Sequence, residues 1–345
     1  MITTAPLPPF RSLLGLGRER LSPPQPWLRP GDTGWLLSRS CWSLALLAQV
    51  VASRRGRAPR IALPSWFCNA SLGPLRQTGA LLQFLPVDSM GQADWSQAED
   101  ADMALLVHAF GRAIPVEAAR AAAPVLVEDC AHALAPAPGM GEVGDWVIYS
   151  PHKTLGAPQG AVMVRRRGEM EPGELPPAPP SRPWLVRRLI QSLLPDGLRS
   201  RLPQGGQPDL KSDPVPGEPP PLTELSKLSL HLLASADLER EAARRRANAL
   251  RLRRVVADLA GAVPFFPEDG PAPYRFVLRA ESPERAEAIY QALRRAHLPV
   301  ESWPDLPPEA CATALELRNT LLLLPVHGGL PSRFAERYAE ALHGA

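Results

Sequence analysis

Lysine is almost absent from this 345-residue chain: of 38 basic residues only Lys153, Lys211 and Lys227 are lysines, and the other 35 are arginines. A guanidinium stays protonated and cannot condense with an aldehyde, whereas an amine can, so a lysine retained here is a candidate for chemistry. The competing account is that three lysines simply remain. Cysteine is scarce and dispersed, at Cys41, Cys68, Cys130 and Cys311 with no CxxC pair. That excludes a disulfide framework and gives no zinc motif, and a reduced, cytoplasmic setting is expected. The net charge is +3 with no block of like charge, so no nucleic-acid partner is expected. No apolar run reaches the roughly 18 residues that span a bilayer. Residues Met1 to Arg20 lack a cationic start followed by an apolar core, so no secretory signal is expected.

What is present is a 45% hydrophobic chain long enough for two domains. Apolar runs at Ile61–Leu63, Leu81–Leu85, Ala104–Val107, Val125–Val127, Trp146–Tyr149 and Ala161–Val164 read as buried strands. Several are apolar throughout, as a sheet covered on both faces requires. Helical patterns intervene at Trp42–Ala52, Ala70–Thr78 and Pro115–Ala122, the pattern of an α/β domain with a mostly parallel sheet. Residues 172–222 are dense in proline and read as an irregular insert enclosing a short basic amphipathic helix, Trp184–Leu194. That helix either packs on its own domain, the preferred reading, or serves a membrane-surface or partner contact. A long helix at Ser235–Leu259 opens a small α+β unit. It holds strand Tyr274–Leu278, a helix capped by Ser282 with Pro283 in its first turn, strand Leu321–Leu324 and a final helix at Ser332–Leu342. The expected division is 1–235 for a large domain and 236–345 for a small one.

Two segments carry the chemistry. Val125-Leu126-Val127-Glu128-Asp129 and Trp146-Val147-Ile148-Tyr149-Ser150-Pro151-His152-Lys153 are apolar strands whose polar residues begin where each strand ends. Ligands of parallel sheets bind at those carboxyl ends. If the strands are neighbours, Asp129 and Lys153 share one pocket. A carboxylate and an amine so placed suit pyridoxal phosphate: the carboxylate keeps the pyridine nitrogen protonated and the amine holds the aldehyde as a Schiff base. Ser150, three residues before the lysine, is placed to donate to the phosphate. Taken alone, Asp129 also fits a turn or helix-capping role.

The run VEDCAHA…GDWVIYSPHKTLG…QGAVMV resembles the DegT/StrS sugar-aminotransferase family of fold-type-I pyridoxal phosphate enzymes. Supporting similarities are SRSCWSLALLAQ (Ser38–Gln49), LPSWFCNASLGPLRQTGA (Leu63–Ala80) and VHAFGRAIPVEA (Val107–Ala118), with weaker echoes at RRRANAL (Arg244–Leu250) and LLLLPVHGGL (Leu321–Leu330). The resemblance implies Lys153 as the Schiff-base lysine and Asp129 as the pyridinium partner. It implies His132 against the ring or its phenolic oxygen, and Ser40 and Cys41 opening a helix whose free N–H groups bind the phosphate. Trp66 or Phe67 would stack on the ring; spacing does not choose between them, and both also fit a core role. Arg275 is a further candidate, for a donor carboxylate.

This sequence departs from the family in three places. The serine stands three residues before the lysine rather than five. The glycine-rich loop after it is Pro158-Gln159-Gly160-Ala161. The Asn-Tyr-Arg segment that usually reaches a neighbouring subunit is replaced by the proline-rich stretch. Family members that dehydrate carry histidine in place of the lysine; here the lysine is present, so dehydration is disfavoured. The implied activity is amino transfer from an amino acid, with glutamate as the suggested donor, to a keto acceptor such as a nucleotide-linked keto-sugar, by a homodimer. The alternatives are another chemistry on the same scaffold, a lyase or an acyl transfer, and a non-catalytic descendant.

Overall fold

The computed structural model describes residues 2–168, 173–193, 210, 221–303 and 305–343. Most of the proline-rich insert, Lys211 and Leu194 therefore lie outside the described residues. A short helix α1 (Phe10–Leu13) and strand β1 (Thr33–Leu37) precede helix α2 (Ser40–Arg55), β2 (Arg60–Pro64), α3 (Gly73–Gln77) and β3 (Leu81–Leu85). Next come β4 (Met103–Val107), α4 (Glu117–Ala122), β5 (Val125–Cys130), β6 (Trp146–Tyr149), α5 (Pro151–Leu155) and β7 (Ala161–Arg165).

These strands form one seven-stranded sheet in the order β1-β7-β6-β5-β4-β2-β3. The run from β6 to β3 is parallel, and β7 and β1 are antiparallel additions at one edge. The mostly parallel α/β sheet expected from the apolar runs is present. Both faces are covered, which is why β4, Met-Ala-Leu-Leu-Val, is buried at every position. One face packs Val127, Ile148 and Met163 against Leu44 and Leu47 of α2 and against Trp303 and Leu323 from later in the chain. The other packs Val147, Tyr149, Val162 and Val164 with Trp27, Leu232 and Leu233.

After the sheet come α6 (Arg182–Leu193), α7 (Lys227–Ala234), α8 (Leu238–Val255), β8 (Ala262–Pro264), β9 (Arg275–Ala280) and α9 (Pro283–Arg295). The chain continues through β10 (Glu301–Ser302), α10 (Ala312–Thr320), β11 (Leu321–Pro325) and α11 (Phe334–His343). The second sheet is antiparallel, in the order β10-β11-β9-β8. Its core gathers Phe276, Leu278, Ile289, Tyr290, Leu322 and Phe334, and it also takes in Ile2 and Leu210 from distant sequence.

Several boundaries differ from the sequence reading for local reasons. The long helix begins at Leu238 rather than Ser235 because Asp237 caps it, its carboxylate accepting from Arg240 N–H, and a separate helix α7 ends at Ala234. The expected helix Ala70–Thr78 is a 3₁₀ turn at Asn69–Ser71 followed by α3, with Pro74 in its first turn. Strand β1 was not anticipated: its residues are mostly half-exposed, and its partner β7 lies more than a hundred residues later. Helix α6 packs beside α1. Its Trp184, Arg188 and Gln191 turn inward, while Val186, Ile190 and Leu193 stand exposed, the reverse of the usual surface helix.

Candidate active site

The parallel pairing of β5 with β6 sets Asp129 opposite Ile148 and carries both strand ends to the same edge of the sheet. Asp129 closes β5, buried, its Oδ1 accepting from Ala131 N–H at 2.8 Å. Lys153 lies in α5, the short helix that starts directly after β6, with its own N–H bonded to Ser150 O at 2.9 Å. Burial pushes the Asp129 carboxyl above its ordinary range, and the Lys153 charge and the Ala131 amide only partly offset that. The same Lys153 charge acts on His132, Cys41, Cys68 and His152. One lysine thus forms the electrostatic centre of residues that the sequence scatters between 41 and 153.

Asp129 is held from behind by its neighbour on the opposite face. Glu128 and His108 are both fully buried and joined at 2.8 Å. His108 Nδ1 accepts the Ile114 N–H, so the ring proton sits on Nε2 and is donated to the carboxylate. Glu128 also accepts from the amides of Gly141, Val143 and Gly144. Burial works to raise Glu128, but His108 and these amides hold it below the ordinary carboxylate range. Cys130 lies within ligating distance of the pair. The carboxylate and both ring nitrogens are already engaged, so the cluster is a closed brace rather than a metal site. The His108 N–H donates to Asp129 O at 3.0 Å, tying the brace to the site.

Three features meet beside α5. Ser150 Oγ is fully buried and has no partner within the described residues. The N-terminus of α2, where Ser40 and Cys41 sit, has no capping side chain from Arg39, and the positive end of the helix dipole there favours an anion. Burial keeps the Cys41 thiol protonated, its pKa raised despite Arg39 nearby. His152 joins the two segments: its Nδ1–H donates to Gly160 O at 2.7 Å, while Gly160 N–H donates to Ser38 O. Burial depresses His152 to about 3, so it is neutral at physiological pH.

An aromatic chain leads away from this centre. His132 stacks on Tyr274 with centroids 4.4 Å apart and planes 4° from parallel. Its Nδ1 accepts from Phe110 N–H, and burial together with the Lys153 and Arg275 charges keeps the imidazole neutral. Phe110, in left-handed backbone at φ 57°, packs on His132 and edge-on to Trp303, which meets Trp66 edge-on at 5.1 Å. Trp66, Trp95, Phe110, Phe266, Trp303 and Arg112 line a narrow cleft. Trp66 is thus a cleft wall, its indole N–H bonded to Gly91 O, and Phe67 is packed in the core. Arg275, a candidate for carboxylate binding, is engaged by Glu301 and lies over the Tyr274 ring at 4.0 Å.

No family model and no curated protein sequence matches the chain. Solved structures do. The chain superimposes on the sugar aminotransferase CalS13 from Micromonospora echinospora with a TM-score of 0.66, at 16% identity over 100% of both chains. It superimposes on S. venezuelae DesV, solved in complex with a ketimine intermediate, with a TM-score of 0.64, at 18% identity over 97% of this chain and 92% of that one. The Streptococcus pneumoniae putative sugar aminotransferase Spr1654 in its PLP-form gives 0.63, at 16% identity over 90% and 86%.

The fold is that of the sugar aminotransferases.

Within this fold the two weaker sequence echoes touch each other. Asn248 Nδ2 donates to Val326 O and His327 O, both at 3.1 Å, and Arg244 donates to Gly328 O. Arg245, fully buried between them, was indistinguishable in sequence among 35 arginines. It pairs with Glu241 at 2.7 Å and donates to Pro273 O, Tyr274 O and Thr154 O. One guanidinium thereby joins the residue after Lys153 to the backbone of the tyrosine that covers His132. Residues 2–8 complete the enclosure. His327 Nε2–H donates to Thr3 O at 2.7 Å, and Pro6 O packs so closely on Gly156, the left-handed residue ending α5, that a β-carbon there would collide with it.

Proposed function

We propose that this chain is a pyridoxal phosphate-dependent aminotransferase, moving an amino group from an amino acid to a keto acceptor. Glutamate is the first donor to test and a nucleotide-linked keto-sugar the acceptor class. The observation that carries the reading is the juxtaposition of Lys153 and the buried, proton-hungry Asp129 at neighbouring strand ends, with the unpartnered Ser150 hydroxyl beside them. Each is a group left wanting a complement, and together they fit this cofactor: an aldehyde for Lys153 Nζ, a ring N–H for Asp129, phosphate oxygens for Ser150 and the α2 N-terminus, where Ser40 and Cys41 stand. When bound, pyridoxal phosphate supplies an electron sink conjugated to the substrate amine.

The rest is the work of this chain's own residues. Asp129, ionised by a cationic neighbour, holds a proton on the group facing it. Lys153 Nζ carries a proton within the pocket, and its position is fixed by the Ser150–Lys153 turn and by Arg245 on Thr154. Neutral His132, its Nδ1 occupied by the Phe110 amide, offers Nε2–H as a donor to an oxygen. Trp66 walls the cleft and Phe67 supports it. The homodimer, the cytoplasmic setting and the division into domains at 235/236 belong to the same proposal. Among the described residues no helix is long and apolar enough to cross a membrane.

Purified protein should be yellow, and borohydride followed by peptide mapping should leave a phosphopyridoxyl mass on Lys153. Lys153→Ala should lose colour and turnover together. Glutamate alone should convert bound cofactor to its amine form, which a lyase or acyl transferase would not do. An intact fold that never takes up the cofactor would make the chain a non-catalytic relative.

A further inference from the structure

Helix α6 turns its aliphatic side to solvent. Val186, Ile190 and Leu193 recur at helical spacing on one face and are 53%, 48% and 68% exposed. The inward face is set by Trp184, Arg188 and Gln191: the Arg188 guanidinium lies 5.3 Å over the indole and donates to Gln191 Oε1. Those contacts fix the rotation of the helix, so the outward stripe is not a consequence of loose packing. Helix α1 packs alongside and adds Phe10, Leu14 and, just beyond its end, Leu16, all exposed. These six are nearly half of the thirteen large apolar side chains exposed among the described residues, yet they come from two short neighbouring segments. Single exposed apolar residues need no account, whereas a cluster of this kind marks a surface with a partner.

The charge of the same segments indicates which partner. The exposed charged residues of 10–18 and 182–193 are Arg11, Arg18, Arg182 and Arg187, and neither segment contains an aspartate or glutamate, in a chain whose 38 basic and 35 acidic residues almost balance. No carboxylate pairs with any of the four among the described residues. The first carboxylate after Phe10 is Glu19, which faces His231 at 3.3 Å. No hydroxyl or amide side chain of these segments is exposed, and Ser12 and Gln191 are buried. A protein partner would therefore find little to hydrogen-bond beyond the guanidinium groups. A second copy packed face to face would set these arginines against themselves. A bilayer asks for neither a matching shape nor directional bonds: its phosphates pair with guanidinium groups and its acyl boundary takes the aliphatic side chains.

We propose that the α1–α6 face docks the protein on a bilayer surface containing anionic phospholipid, a peripheral contact that stands apart from the aminotransferase reading. The full chain should cosediment with vesicles of phosphatidylcholine and phosphatidylglycerol, tenfold or more tighter than with phosphatidylcholine alone. The difference should vanish in about 1 M salt, where the Debye length is about 3 Å. Ile190→Glu should weaken binding to the anionic vesicles tenfold or more. Arg182→Gln combined with Arg187→Gln should remove the preference for anionic lipid, and Arg182→Lys with Arg187→Lys should keep it. Leu315→Glu, at an exposed leucine of α10 outside the face, should bind as wild type does. Every altered side chain is exposed, so all variants should melt within about 2 °C of wild type. The assignment is overturned if anionic vesicles do not bind, if Ile190→Glu binds as well as wild type, or if Leu315→Glu loses as much. A lower melting temperature or a smaller assembled mass for Ile190→Glu would show that protein covers the stripe, either its own fold or a second copy, and would overturn it equally.

Discussion

Replacing Arg245 by methionine tests whether one guanidinium holds the two halves of the site together. The substitution keeps much of the side-chain length while deleting four hydrogen bonds, one of them the ion pair to Glu241. Glu241 retains a partner, because it also accepts from Gly328 N–H. The carbonyls of Pro273, Tyr274 and Thr154 lose their charged donor in a site with no solvent exposure at the arginine. Breaking a buried charged network of this kind costs about 3–5 kcal/mol. At roughly 2 °C per kcal/mol for a chain of this length, that is a fall in Tm of about 6–10 °C. Arg244→Met is the control, since Arg244 is exposed and among the described residues donates to Gly328 O alone; it should cost no more than about 1 kcal/mol. Circular dichroism melts of both variants, without cofactor, supply the comparison. If Arg245→Met unfolds within 2 °C of wild type, or if the control costs as much, the clamp described here is not what holds Thr154 to Tyr274.

Two further outcomes follow from buried charge. Asp129 is raised above its unfolded pKa, so at neutral pH its ionised form weighs against folding. Asp129→Asn should leave the cofactor-free Tm unchanged or higher while cofactor affinity falls at least tenfold, and a lowered Tm would contradict this. His327 is depressed to about 3, its Nδ1 accepting from Gly329 N–H and its Nε2–H donating to Thr3 O. The unfolded chain then binds the proton first, so this stability is full above about pH 6.5 and is lost as pH falls toward 3, a few kcal/mol at most. His327→Gln should flatten the decline of Tm between pH 7 and 4.5, and parallel curves would refute the assignment.

Much of this was legible in the sequence because parallel strands buried on both faces are apolar throughout. β4, β5, β6 and β7 announce themselves, and polar residues begin where they end. Lys153 stood out through scarcity and position together. The Glu128–His108 brace was missed, although a histidine ending β4 and a glutamate on neighbouring β5 were a usable signal. The role of Arg245 is invisible locally, since nothing around it says what will surround it after folding. The choice between Trp66 and Phe67 stayed open for a related reason: spacing places both near the site, but the ring stacked on His132 is Tyr274, from more than 200 residues later.

Residues 2–8 are synthesised before nearly everything they touch. Ile2 waits for the core built around β9, β11 and α11 and Thr3 for His327, while Pro6 packs on Gly156 at the end of α5. All seven strands of the large sheet precede Arg166, but one of its faces is covered by Trp303 and Leu323, and the enclosure behind Lys153 cannot close until His327 has been added. A nascent chain stalled before β11 should leave part of that face and Lys153 open. Cofactor capture, on this ordering, waits for β11, and an arrest peptide placed ahead of that strand should yield a species without a closed site.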